Sequence, residues 1–141
     1  MFNGLYEDRL RLWTDFRNTL ETTETPLQDI VDFYNTPPRV TIHTDPYDQS
    51  TWPSPWELVA ENIYCDFCIL LGICYSLQLT DRFSSSNFEI HITQDREKSE
   101  THYLLFVDEW CIGYDSNKPV LRTELSKTMT FGTSYIMPSL Q

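Results

Sequence analysis

The sequence predicts an α+β domain made of N-terminal helices, a central buried apolar helix and a small antiparallel sheet. Three observations lead there. Apolar residues in the first third recur at three- and four-residue intervals, residues 67–74 are apolar on nearly every helical face, and beyond residue 87 the apolar spacing changes to two. The 141 residues suffice for one sizeable core and are too few for two, so 1–141 reads as a single domain. Its helical N-terminal part covers 1–38, and the central helix with its sheet covers 55–136.

Leu5, Leu10, Trp13, Phe16 and Leu20, with charged residues between them, define a first amphipathic helix. Thr25-Pro26 then reads as an N-cap followed by proline at the first helical position. Leu27, Ile30, Val31 and Tyr34 form the apolar face of this second helix, which Pro37-Pro38 ends. Arg39–Thr44 (RVTIHT) alternates and is rich in β-branched residues, which predicts a short strand. Asp45–Ser54 follows as a proline-bounded loop.

Ser54-Pro55-Trp56-Glu57 carries the three signals of a helix start: a capping serine, proline in the first turn, and glutamate three residues after the cap. Trp56, Ala60, Ile63, Phe67, Leu70, Cys74 and Leu77 keep helical spacing from there onward, which predicts one helix running to about Leu79 with Cys65 in its middle. A break at Asn62–Tyr64 would instead put Cys65 at a helix start. In the second half Phe88, Ile90 and Ile92 alternate with Glu89, His91 and Thr93. HYLLFVDEW, CIGYDS, PVLRTEL and Met129–Ile136 follow as short strands, and together they predict an antiparallel meander.

Net charge is −11, from 21 acidic against 10 basic residues, which argues against binding a phosphate backbone. The acids are scattered and read as solvated faces. The longest apolar run, near 68–75, is too short to span a bilayer. MFNGLYEDRL has early acids and no apolar core, so it does not read as a secretory signal, and the cysteines are expected as free thiols. The expectation is therefore a protein that binds neither nucleic acid nor membrane and needs no cofactor.

Four cysteines and three histidines raise the question of zinc. Cys65-Asp66-Phe67-Cys68 is a CxxC, but no second pair accompanies it and its surroundings are helical and apolar, so no metal site is predicted. The same pair read as a redox motif lacks the preceding strand of a βαβ unit. Cys74 and Cys111 read as small core residues. A third arrangement uses Cys65, then His102 at the head of a strand, then Asp115 at the end of the next. A thiol nucleophile needs a base within hydrogen-bond reach, and the base needs an acceptor to fix its tautomer.

This order of Cys, helix, strand, His, strand and Asp resembles the transglutaminase-like branch of the papain-like cysteine hydrolases over residues 60–116. The resemblance implies acyl transfer or hydrolysis with Cys65 as nucleophile, His102 as general base and Asp115 as its orienter. The chain departs from that pattern at Ile63, where the family places glycine, and at Tyr103-Leu104, where it places a small residue and an aromatic.

The phrases DPYDQSTWPSPWELVAEN, YSLQLTD and YLLFVD resemble small proteins encoded by tailed phages of the T4-like marine cyanobacterial type. That resemblance implies a phage origin, with the host cytoplasm or the virion as location and other virion proteins as partners. Tyr47, Trp52 and Trp56, held in the proline-bounded loop, would suit a contact surface, because stiff aromatics lose little entropy on binding. Trp52 and Trp56 have a plainer reading as a cover for the end of the central helix. Two functions stand side by side: a non-catalytic virion, tail or assembly protein, and a Cys-His-Asp hydrolase or acyltransferase.

Overall fold

The structure is a computed structural model that describes residues 1–41 and 43–140. It is α+β, as the periodicities predict. Helices α1 (Tyr6–Leu20) and α2 (Pro26–Tyr34) are followed by α3 (Pro55–Glu61) and α4 (Asp66–Gln78). The strands are β1 (Phe88–Asp95), β2 (Glu100–Val107), β3 (Trp110–Ile112), β4 (Val120–Leu121) and β5 (Met129–Ile136). Among the described residues no helix is long and apolar enough to cross a membrane.

The single long central helix is corrected by the structure into two. Ser54 and Glu57 make the expected capping box at the start of α3. Asn62 then turns left-handed, with φ 54° and ψ 38°, and its N–H donates to Leu58 O to close the helix. Asparagine is the non-glycine residue that best tolerates this conformation at a helix end. Its side chain donates to Phe2 O at 2.8 Å, tying the break to the N-terminus. Cys65, extended at φ −90° and ψ 174°, is the N-cap of α4. The apolar spacing that runs through the break does not mark the buried face of α3: Trp56, Ala60 and Ile63 are exposed, and α3 buries Pro55, Leu58 and Val59 instead.

Every residue of α4 after Asp66 is buried, so this helix is the spine of the domain. Trp13 from α1 and Tyr34 from α2 meet it at Ser76. Trp13 Nε1 donates to Ser76 Oγ at 2.8 Å, the Tyr34 hydroxyl lies 3.1 Å from the same oxygen, and Ser76 Oγ donates to Gly72 O. Three buried polar groups are thereby satisfied in one cluster.

The strands form one antiparallel sheet in the order β4-β3-β2-β1-β5. The expected meander holds from β1 to β4, but β5 returns to pair with β1 instead of β4. The two-residue β4 offers little to pair with, whereas the outer side of β1 accepts β5 from Met129 to Ile136, with a bulge between His91 and Thr93. The predicted strand at Arg39–Thr44 is also corrected. Among its described residues only one parallel bridge forms, Arg39 with Tyr64, with Val40 N donating to Tyr64 O at 3.0 Å. Ile42 lies outside the described residues.

Residues alternate across β2 and decide what each face carries. Leu105 and Val107 join the main core with α4, and Tyr103 packs against it. Leu104 and Phe106 join a second cluster on the far face, with Cys111, Val120 and Met129.

Candidate functional site

The break at Asn62 places Cys65 where the first turn of a thirteen-residue apolar helix presents its unsatisfied N–H groups. The Cys65 thiol is held well below the ordinary thiol range. The largest cause is the Cys68 side chain; burial opposes it, and the backbone N–H groups of His43, Cys68 and Thr44 add to the lowering. Cys68 is pushed the other way, first by Cys65 and then by burial. Of the two thiols, Cys65 is thus the one favoured as thiolate. Cys68 Sγ also donates to Thr44 Oγ1 at 3.3 Å, which fixes the second sulfur in place. Both thiols are enclosed, with Cys65 4% exposed and Cys68 fully covered.

Beside this cradle runs a cleft of about 270 Å³ lined by Asp66, Arg39, Asn35, Tyr103, His102 and Asp115. At its rim Arg39 donates to Asp66 at 2.7 Å and to Asn35 at 3.3 Å. The apolar wall comes from α4 and β3 through Ile69, Leu70 and Ile112.

Cys65, His102 and Asp115 do not form the hydrogen-bonded chain of a triad. The residue of β2 whose side chain faces α4 is Tyr103, with its ring 5.5 Å from Phe67. Its hydroxyl is pushed up first by burial and then by Tyr47, Cys65, Asp66 and Asp45. One position earlier in the strand, His102 lies on the opposite face by alternation. Its ring is 5.8 Å from Tyr114, and its Nε2 is 3.3 Å from Glu100 Oε2. Asp115 accepts from Asn117 N at 2.8 Å and so caps its own turn. Among the described residues no hydrogen bond links His102 to either of the other two. The family's order along the chain is therefore present without its pairing in space.

The three aromatic contact candidates separate as well. Trp52 is half-buried, 5.0 Å from Phe67 and 4.7 Å from Tyr135 between ring centres, and its Nε1 donates to Asp45 O. It covers the start of α4. Tyr47 and Trp56 stay largely open, at 59% and 51% exposure, although Trp56 rests edge-on against Trp13.

Sequence reading missed Thr44 and Tyr103, and it set Cys68 aside. The CxxC was visible, and so was the asparagine three residues before it, but neither decides a helix start alone. Among the described residues no group of three or more histidine, cysteine or acidic side chains is placed to hold a metal. No protein-family model matches the chain, and no curated protein is detectably similar to it.

Proposed function

We propose that the protein works through contacts with other proteins and not by covalent catalysis, as a virion, tail or assembly component of a tailed phage. The observation that carries the contact reading is β5. It is an eight-residue strand at the open edge of the sheet, with neither charge nor proline in MTFGTSYI. Phe131 on it is 48% exposed and Ile136 80%. Soluble proteins usually guard a long edge strand with lysine, proline or brevity; here one bulge is the guard. An extended segment of a partner adding to this edge would satisfy its backbone and cover both apolar side chains. The phage part of the reading rests on the resemblance of whole phrases, and it makes the partner a virion protein.

Hydrogen–deuterium exchange, on the isolated protein and on the protein in phage assemblies, tests this. The β5 amides not bonded to β1 are expected to exchange freely in isolation and at least about tenfold more slowly in the assembly. Equal exchange in both states would sink the reading. A Phe131→Lys, Ile136→Lys double variant is expected to keep its melting temperature and lose incorporation.

The hydrolase reading keeps one observation in its favour, the placement of Cys65 at a helix start. It also needs a base, and Tyr103 stands on the strand position that faces α4. Replacing His102 with alanine is expected to leave the rate of Cys65 alkylation by iodoacetamide unchanged. A slowing of tenfold or more, on the order of a lost general base, would return the triad to consideration.

A further inference from the structure

The contact function makes no use of Cys65 and Cys68, and the geometry points to a redox-modifiable dithiol there: the two close a reversible disulfide by exchange with a low-molecular-weight disulfide. Cys65 is the N-cap of α4 and Cys68 its third residue. N-cap and third-residue side chains project over the same first turn, where the Cys68 side chain meets the Cys65 thiol; at the start of α3 the corresponding Ser54 and Glu57 side chains each reach the other's backbone N–H. Thr44 holds the Cys68 sulfur from the other side at 3.3 Å. The other two cysteines are poor competitors. Cys74 lies further along α4, its sulfur 3.5 Å from Gln78 Oε1, and Cys111 belongs to the cluster on the far face of the sheet. All four are free thiols in the structure.

The chemistry balances as two exchanges. The Cys65 thiolate attacks one sulfur of the external disulfide, whose S–S bond breaks and releases a first thiolate. Cys68 then gives up its proton and attacks the Cys65 sulfur, which expels the second thiolate. The protein loses two electrons and the Cys68 proton, and with one further proton from solvent the external disulfide becomes two thiols. The Cys68 side chain first, and then the N–H groups of His43, Cys68 and Thr44, lower the Cys65 pKa and so favour the thiolate that the first step needs. A thiol exposed only 4% reacts when its surroundings open, so the equilibrium extent of oxidation is the right readout and not its rate.

The experiment equilibrates the full chain in glutathione buffers from fully reducing to fully oxidising, quenches with acid, alkylates under denaturing conditions and maps the peptides. A single Cys65–Cys68 disulfide is expected to appear in one step, with Cys74 and Cys111 remaining alkylated. In Cys65→Ser, checked for folding by its circular dichroism, Cys68 is expected to stay reduced throughout. A pair still reduced at the oxidising end would overturn the proposal, because a merely packed pair behaves that way. So would a disulfide that includes Cys74 or Cys111, or oxidation of Cys68 without Cys65.

Discussion

At Cys65 the neighbouring Cys68 side chain, helped by the local backbone, outweighs the thiol's apolar surroundings. Burial alone raises a thiol, as it does at Cys74, which has no compensating donors and is pushed far up. Cys65 is nearly as enclosed but faces the Cys68 thiol and three backbone N–H groups, and the balance reverses. The consequence for stability has a definite sign. The Cys65 pKa is lower in the folded chain than its unfolded value of about 8.5, so its stabilising effect is fully present above that value. It is lost as pH falls toward the folded value. Cys65→Ala removes this dependence. The stability of wild type relative to the variant is therefore expected to rise between about pH 6 and 8 in urea denaturation. A constant difference across that range would mean that Cys65 stays protonated in the folded protein.

At the scale of elements, what was legible depended on whether a feature has local chemistry of its own. The capping box at Ser54 and the alternation of β1 and β2 were plain, because those signals sit in consecutive side chains. The break between α3 and α4 was legible only as an alternative at Asn62–Tyr64, because Trp56, Ala60, Ile63 and Phe67 continue a helical pattern through it. Only Asn62 marks the place, and an asparagine is as often an exposed helical residue. The face of His102 was hidden for a related reason: order along the chain says nothing of parity within a strand. A one-residue difference puts Tyr103, and not His102, toward α4. The break should be sensitive to its marker. Asn62→Ala keeps the left-handed φ of 54° but loses the side-chain bond to Phe2 O. A cost of about 1–2 kcal/mol is expected from the strained conformation, read as a lowered denaturation midpoint. Asn62→Gly should recover part of it. If alanine is neutral and glycine harmful, the left-handed turn is not what sets the break.

Across the whole molecule, α4 is the wall that the α1 and α2 pair and the sheet both lean on. The fit is closest at Gly72, where Tyr34 of α2 crosses the helix. A methyl group built there would lie 2.6 Å from Tyr34 Cε1 and 2.9 Å from its Cζ. The ring has nowhere easy to go, since its hydroxyl is held at Ser76 and Phe2, Phe33 and Tyr64 pack around it edge-on. Alanine normally favours a helix over glycine by about 1 kcal/mol, so on local propensity Gly72→Ala would stabilise. The close approach acts in the opposite direction. Forcing extra volume into a tight core costs about 1–3 kcal/mol, and displacing Tyr34 also puts its bond to Ser76 at risk. We expect the packing penalty to exceed the propensity gain, giving a net loss of stability and a melting temperature lower by several degrees. A paired Tyr34→Phe change separates the two contributions. It removes the hydroxyl but leaves the ring, so a steric origin predicts that Gly72→Ala remains harmful when combined with Tyr34→Phe. If the glycine change becomes neutral in that combination, the hydroxyl cluster at Ser76, and not the ring, is what holds α2 against α4.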